Sequence, residues 1–327
     1  MIIVVFIESI NHISGELVVE NIIDTFINGL KNMFKNPSLF VPLLVFSLLS
    51  FALSFVLGLV IAEPYVATML ENESNWILLG VVLLLSVLIF LILSSYISAG
   101  TIGMSKEAVS TGKTKLKDMF AYGNKYAIRF VFATIVMLIL ELVMIIFWLP
   151  TIYLFVNSEY TLSTLFDNLL NNPDSVMPFL YSLLIPVLIG FLLTLVYYVV
   201  ISILFYFVTY AIVADDLSVL ASFKKSYTMM RQHPGKILVF LFVLFIISCI
   251  LTFILYFISW VVSFVMIMFM IPLMISDPAS PLLLIVYLIQ VIMSVLYYSI
   301  MAILSVAITV WGTRFYMAMN DHELYEK

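Results

Sequence analysis

Charge, histidine and cysteine are all scarce in this chain, and each scarcity removes a class of function. Only 10% of its 327 residues are Asp, Glu, Lys or Arg, against about 25% in a soluble domain. The three histidines, His12, His233 and His322, lie far apart, without the ligand spacing of a metal site. The single cysteine, Cys249, falls in an apolar run. It can form no intrachain disulfide or redox pair, and it reads as a small buried hydrophobe. No Gly-x-Ser-x-Gly, His-Glu-x-x-His or Gly-x-Gly-x-x-Gly pattern occurs. Gly112-Lys113-Thr114 looks like the end of a phosphate-binding loop, but Glu107 stands where its first glycine belongs. No enzyme is expected, no catalytic residue and no cofactor. Nucleic acid is excluded as a partner, because nothing supplies a dense basic field.

What the chain has instead is apolar length. It is 64% hydrophobic with a mean hydropathy of +1.21. Such a chain cannot cover itself with polar surface, so lipid is its solvent. Six apolar segments, at about 39–62, 76–99, 129–156, 176–213, 237–271 and 282–313, are long enough to cross about 30 Å of hydrocarbon. The expected fold is an all-α, polytopic membrane bundle of six transmembrane helices. The last four segments exceed the length a straight span needs. Tilt, kinks at Pro178, Pro186 or Gly190, or projection past the headgroups must absorb the excess.

Every basic residue falls in alternate gaps between these segments. Lys31 and Lys35 precede the first. Lys106, Lys113, Lys115, Lys117, Lys125 and Arg129 lie between the second and third. Lys224, Lys225, Arg231 and Lys236 lie between the fourth and fifth, and Arg314 and Lys327 come at or after the end of the sixth. Basic loops stay in the cytoplasm, so both termini are expected there, in the cell membrane. The other gaps hold seven acids and no base. Trp76, Trp148 and Trp311 near span ends read as interfacial belts.

Each basic stretch that precedes an outward span carries an amphipathic pattern. In the first, Val19, Ile22, Ile23, Phe26, Leu30, Met33 and Phe34 oppose Asp24, Asn28, Lys31 and Lys35. In the second, around 115–127, Leu116, Met119, Phe120 and Tyr126 oppose Lys113, Lys117, Asn124 and Lys125. In the third, around 217–231, Leu217, Leu220, Phe223, Tyr227 and Met230 oppose Ser222, Lys224, Lys225 and Arg231. Such helices lie flat at the headgroup level with their bases toward anionic lipid. Phe26, Phe120, Phe223, Lys31, Lys117, Lys224 and Lys225 are the expected interfacial contacts, and membrane lipids the expected partners. A homo-oligomer is left open beside a monomer.

The stretches also repeat. Phe26 and Phe223 each stand eleven residues before a proline, in Asn36-Pro37 and His233-Pro234, and Phe120 holds the same place in a middle copy without proline. Tyr197-Tyr198 and Tyr297-Tyr298 lie 100 residues apart, as do Thr209 and Thr309. The chain reads as a 1–16 extension, a 17–315 membrane domain and a 316–327 tail. The membrane domain divides into three tandem units, about 17–103, 104–214 and 215–315. Each is an interfacial helix followed by a transmembrane hairpin. All share one orientation, unlike inverted-repeat transporters.

Glu141 is the one ionisable residue at mid-span, which makes it a candidate site by default. It could serve a relay or a ligand, or it could be a structural carboxyl bonded to a neighbour such as Gln290. Glu141, Gln290, Tyr197 and Tyr297 are the candidate ligand or pathway residues. Asp215-Asp216 reads as an N-cap of the third amphipathic helix, with contact to a cation or a headgroup amine as the rival reading. Ser95, Ala99 and Gly103 form a small-residue ridge suited to close helix packing.

The stretch from Tyr210 to Lys236 runs from a span ending in Asp215-Asp216, through a helix carrying Ala221, Lys225 and Ser226, to the next span. Together with Ser98-Ala-Gly-Thr-Ile-Gly103 and the basic segment after it, it resembles the membrane domain of bacterial glycerophosphoryl diester phosphodiesterases and related six-span archaeal and bacterial proteins. The resemblance implies a stand-alone membrane module associated with lipid. It does not imply phosphodiesterase activity, because these 327 residues hold no room for the soluble barrel of about 250 residues. Lipid binding or membrane organisation is the leading expectation. Transport of a small or apolar solute is the alternative.

Overall fold

The structure, a computed structural model, describes residues 16–62, 73–158, 173–276 and 281–320, with Thr164 and Asn171 besides. Nearly all of the 1–16 extension and the last seven residues of the tail lie outside the described residues. Among those described there is no strand. The helices are α1 (Glu16–Lys35), α2 (Phe40–Ala62), α3 (Glu73–Thr111), α4 (Leu116–Leu142), α5 (Ile145–Val156), α6 (Pro173–Phe205), α7 (Val208–Ala214), α8 (Val219–Gln232), α9 (Pro234–Ser276) and α10 (Pro281–Asn320). Among the described residues four helices are long and apolar enough to cross a membrane, and the number rises to six if each of two bent pairs is one span. This is a helical membrane protein. It divides into two compact units, Met1–Val131 with Phe207–Lys327, and Phe132–Tyr206.

Several helices outrun the spans expected for them. α3, α9 and α10 have 39, 43 and 40 residues, or about 60 Å each at about 1.5 Å per residue. α3 continues past residue 99 to Thr111 and α10 past 315 to Asn320, so the expected boundary between membrane domain and tail falls inside a helix. The extra turns persist because they stay packed. Ala99, Ile102, Met104 and Ala108 of α3, and Phe315, Tyr316 and Ala318 of α10, are all buried.

The first amphipathic stretch forms a separate helix, α1, set at 91° to the span that follows it. Asn36 stops it, with a non-helical backbone (φ −125°, ψ 73°) ahead of Pro37, as the residue before proline requires. The Asn36 side chain donates to the carbonyls of Asn32 (2.8 Å) and Gly112 (3.3 Å) and accepts from the Thr114 N–H (2.9 Å). One buried amide thereby pins this corner to the turn between α3 and α4. The third stretch is likewise separate. α8 ends at His233 (φ −131°, ψ 52°), ahead of Pro234. The middle stretch departs from the expectation, because residues 116–127 run without a break into α4. Val131 stands where the other copies have proline, so nothing blocks the next helical hydrogen bond.

In the first unit the packing is concentrated at the basic end, where α3, α7 and α10 meet one another. Aromatic rings tie the surrounding helices to them. Phe240 of α9 stacks on Phe315 of α10 at 4.0 Å, Phe26 of α1 lies 4.9 Å from Trp311, and Phe207 lies within 6 Å of both Phe315 and Tyr316. Elsewhere the spans are thinly covered. Only 6–33% of the residues in the span windows are buried, and the rest present Leu, Ile, Val and Phe outward. Cys249 is one of these exposed residues rather than a core residue, since lipid accepts a thiol as readily as a core does.

The second unit holds the end of α4, α5 and α6. α4 and α5 meet at a 46° bend. No proline or glycine sits at the break around Val143-Met144. Instead the Tyr197 hydroxyl of α6 donates to the Leu140 carbonyl (2.8 Å), an intrusion into the helical ladder of the kind that bends helices. Gly190 lets α6 approach the Phe147 carbonyl, and Trp148 Nε1 donates to Thr194 Oγ1 (3.0 Å).

Candidate functional site

The register of the three amphipathic stretches can be followed from each phenylalanine. The residue before it is buried in every copy: Thr25, Met119 and Ser222. The residue three positions after it is small and buried: Gly29, Gly123 and Ser226. A Cβ on Gly29 would stand 2.5 Å from Trp311 Cδ1, and one on Gly123 2.8 Å from Tyr96 Cζ. Ser226 Oγ accepts the Phe207 N–H at 3.3 Å. The partners are thus α10 for α1, α3 for α4, and Phe207 at the start of α7 for α8. Each amphipathic segment thus rests on a helix that ends at the basic side, and the first, α1, rests on the last, α10.

That packing decides which way each candidate residue faces. Phe26 and Phe223 turn inward, Phe26 onto Trp311 and Phe240, whereas Phe120 is 49% exposed. On α1, Ile22, Thr25, Gly29 and Met33 face the protein. A second apolar stripe, Ile27, Leu30 and Phe34, faces away, with Phe34 70% exposed. Beside that stripe stand exposed Lys31 and Lys35. On α8 the inward face is Ser222, Phe223, Ser226 and Met229, and the outward one carries Leu220 (76% exposed) and Tyr227 with Lys224 and Arg231. The order around both helices is the same: protein, apolar stripe, cations. Lys117 is exposed and Lys225 half-buried.

The α7–α8 connector holds a polar cluster that the sequence reading missed. Asp216 adopts φ 54°, a left-handed conformation that Asp tolerates better than most residues. Its carboxylate pairs with Lys125 (2.8 Å) and Arg129 (2.7 Å) of α4, and both cations also lie against the Tyr126 ring. Asp215 accepts the Tyr316 hydroxyl (2.6 Å). Lys106 donates to the Ala214 carbonyl (2.8 Å) and so caps the end of α7 with positive charge. The expected N-cap role for the two aspartates does not hold. Ser218 takes that position in α8, and both aspartate carboxylates are engaged elsewhere. The Asp-Asp pair and the Lys125/Arg129 spacing were visible in the sequence, but a pairing across about 90 residues leaves no local signal.

Lys125 first, and then Arg129, hold the Asp216 carboxyl down to about 2 from an ordinary 3.8. A group held low in the folded state stabilises it fully above the unfolded value and loses that effect as pH falls through the folded one. The melting temperature of the wild type over Asp216→Asn is therefore expected to be constant above about pH 5 and to shrink between about pH 4 and pH 2. Thermal melts in detergent check this. An advantage that grew on acidification would contradict the ion pair.

The four pathway candidates fall in separate places, two in each unit. Gln290 and Tyr297 line a groove of about 170 Å³ between α9 and α10, with Ser259, Ser263 and Ser294. A second groove of about 250 Å³ lies between α2 and α3, lined by Phe46, Ser50, Leu53, Ser86 and Phe90. Both fall below the ~300 Å³ at which pockets for drug-sized molecules begin. In the second unit Tyr197 is committed to the Leu140 carbonyl. Glu141 is half-buried at the bend, and its carboxylate has no hydrogen-bond partner among the described residues. No group of three or more His, Cys, Asp or Glu among the described residues could hold a metal ion. The Ser95–Ala99–Gly103 ridge is a packing surface. Ser95 and Ala99 are buried, and a Cβ on Gly103 would run into the Tyr122 ring.

No curated protein and no solved structure matches this chain. Residues 21–319 match one family, which takes in every described helix with the first five residues of α1 and the last residue of α10 excepted. The chain belongs to the family described as Domain of unknown function (DUF7847).

Proposed function

We propose that this protein is a non-enzymatic, lipid-binding or membrane-organising protein of the cell membrane. Both termini are cytoplasmic, and six spans are arranged as three tandem units. The observation that carries the reading is α1. It stands at 91° to its span and exposes Ile27, Leu30 and Phe34 beside Lys31 and Lys35. A helix so placed has one side on protein, one suited to acyl chains and one suited to headgroups and water. The two apolar grooves are in keeping with the same reading, since their volumes fall below those that take a drug-sized solute. The cyclic packing of the amphipathic segments supports the three-unit organisation. The resemblance to the membrane domain of glycerophosphoryl diester phosphodiesterases points the same way, toward lipid.

The test is lipid analysis of protein purified from membranes in mild detergent. Phospholipid that survives at a fixed molar ratio supports the proposal, and protein stripped of all lipid overturns it. A transport reading draws on a single observation, the unpartnered Glu141 carboxylate at the α4–α5 bend. Proteoliposome flux that disappears in Glu141→Gln would favour it.

A further inference from the structure

The three amphipathic segments share a register but not a fate. In the middle one, Lys125 and Arg129 are already paired with Asp216, which leaves its helix one lysine, Lys117, without an ion-pair partner among the described residues where each outer helix has a pair, and the segment runs straight on into α4. In the outer two, the helix is cut off before a proline. There Lys31, Lys35, Lys224 and Arg231 have no ion-pair partner among the described residues. Lys31 and Lys35 are one turn apart on α1, and Lys224 and Arg231 stand one turn to either side of Tyr227 on α8. Side chains three or four residues apart are neighbours on a helix surface. Each cation pair therefore flanks or borders an exposed apolar stripe that points away from the protein.

An apolar stripe edged by uncompensated positive charge is complementary to one kind of molecule at a membrane surface, an amphiphile with an anionic head. We propose that α1 and α8, and not α4, each hold one anionic glycerophospholipid. Its phosphate is held by Lys31 and Lys35 on α1, or by Lys224 and Arg231 on α8. Its chains lie along Ile27, Leu30 and Phe34, or along Leu220 and Tyr227. The inference rests on the lipid reading above and narrows it to a lipid class, two sites and four cations. In the middle segment two of the cations, Lys125 and Arg129, fasten the α7–α8 connector instead.

Native mass spectrometry tests this on the full chain, reconstituted in vesicles of equal phosphatidylglycerol and phosphatidylcholine and released in mild detergent. The wild type is expected to retain two phosphatidylglycerol molecules. Lys31→Gln with Lys35→Gln is expected to retain one, as is Lys224→Gln with Arg231→Gln, and the fourfold variant none. Lys117→Gln, on the middle segment, is expected to retain two. All of these side chains are solvent-exposed, so unchanged melting temperatures confirm that each variant is folded. Equal retention of both lipids would overturn the anionic assignment and leave lipid binding intact. Loss of a lipid in Lys117→Gln would overturn the count of two. Retention of no phospholipid by the wild type would overturn lipid binding itself, and the sites with it.

Discussion

Gly29→Val and Gly123→Val are each expected to destabilise the protein by about 1–3 kcal/mol, the usual penalty for forcing methyl groups into a filled space. At Gly29 the obstacle is the Trp311 ring, 2.5 Å and 3.0 Å from the added Cβ. That ring cannot swing aside without losing the bond from its Nε1 to the Phe26 carbonyl (3.0 Å). At Gly123 the obstacle is Tyr96, whose hydroxyl donates to Asn124 (3.1 Å). Gly235 is the control. It is helical with nothing within 4 Å of its would-be Cβ, so Gly235→Ala should be neutral or stabilising by up to about 1 kcal/mol. Fluorescence-detected thermal melts in detergent separate these outcomes. If Gly29→Val melted like the wild type, α1 would not be seated on α10, and the closure of the first helix onto the last would fail.

Phe240→Ala is expected to have the largest single effect, about 3–5 kcal/mol. Phe240 is fully buried, stacked on Phe315 at 4.0 Å and 5.6 Å from Phe26. It therefore joins α9 to α10 and to α1. Phe245→Ala, five residues along the same helix, removes an identical ring that is 62% exposed. Its cost should fall within about 0.5 kcal/mol, as for other positions without buried contacts. The contrast follows from where the packing is concentrated. Along the spans lipid replaces lipid-like side chains at little gain, while the basic end has a dense aromatic core. Equal effects of the two substitutions would mean that the spans hold the fold together as much as that end does.

Much of this was legible in the sequence, for identifiable reasons. Hydropathy marks α2 and α9 because a long apolar run has few other uses. Asn36-Pro37 and His233-Pro234 mark the ends of α1 and α8 because proline constrains its own φ and the residue before it. The phenylalanine register, drawn from Phe26, Phe120 and Phe223, led to the small residues that set the packing. The inward turn of Phe26 and Phe223 was not legible. Periodicity finds that a helix has apolar residues but does not say which go to protein and which to lipid, and on α1 both faces are apolar. The Asp216 ion pairs, the Asp215–Tyr316 bond and the Lys106 cap join residues about 90–110 positions apart. The α4–α5 bend has no breaker in the chain, and the Tyr197 hydroxyl that bonds the Leu140 carbonyl there comes from 57 residues away.

The central claim is that α1 and α8 lie at the membrane surface with their outward stripes in lipid. Nitroxide labels at Phe34→Cys and Leu220→Cys in a Cys249→Ser background, reconstituted in bilayers, test it through their relative exposure to oxygen and to a water-soluble nickel complex. Both labels are expected at the boundary of headgroups and acyl chains, about 5–10 Å below the surface, with oxygen favoured over nickel. Labels as open to nickel as one at exposed Gln232→Cys, about 120° around α8 from Leu220, would place the stripes in water and contradict the account.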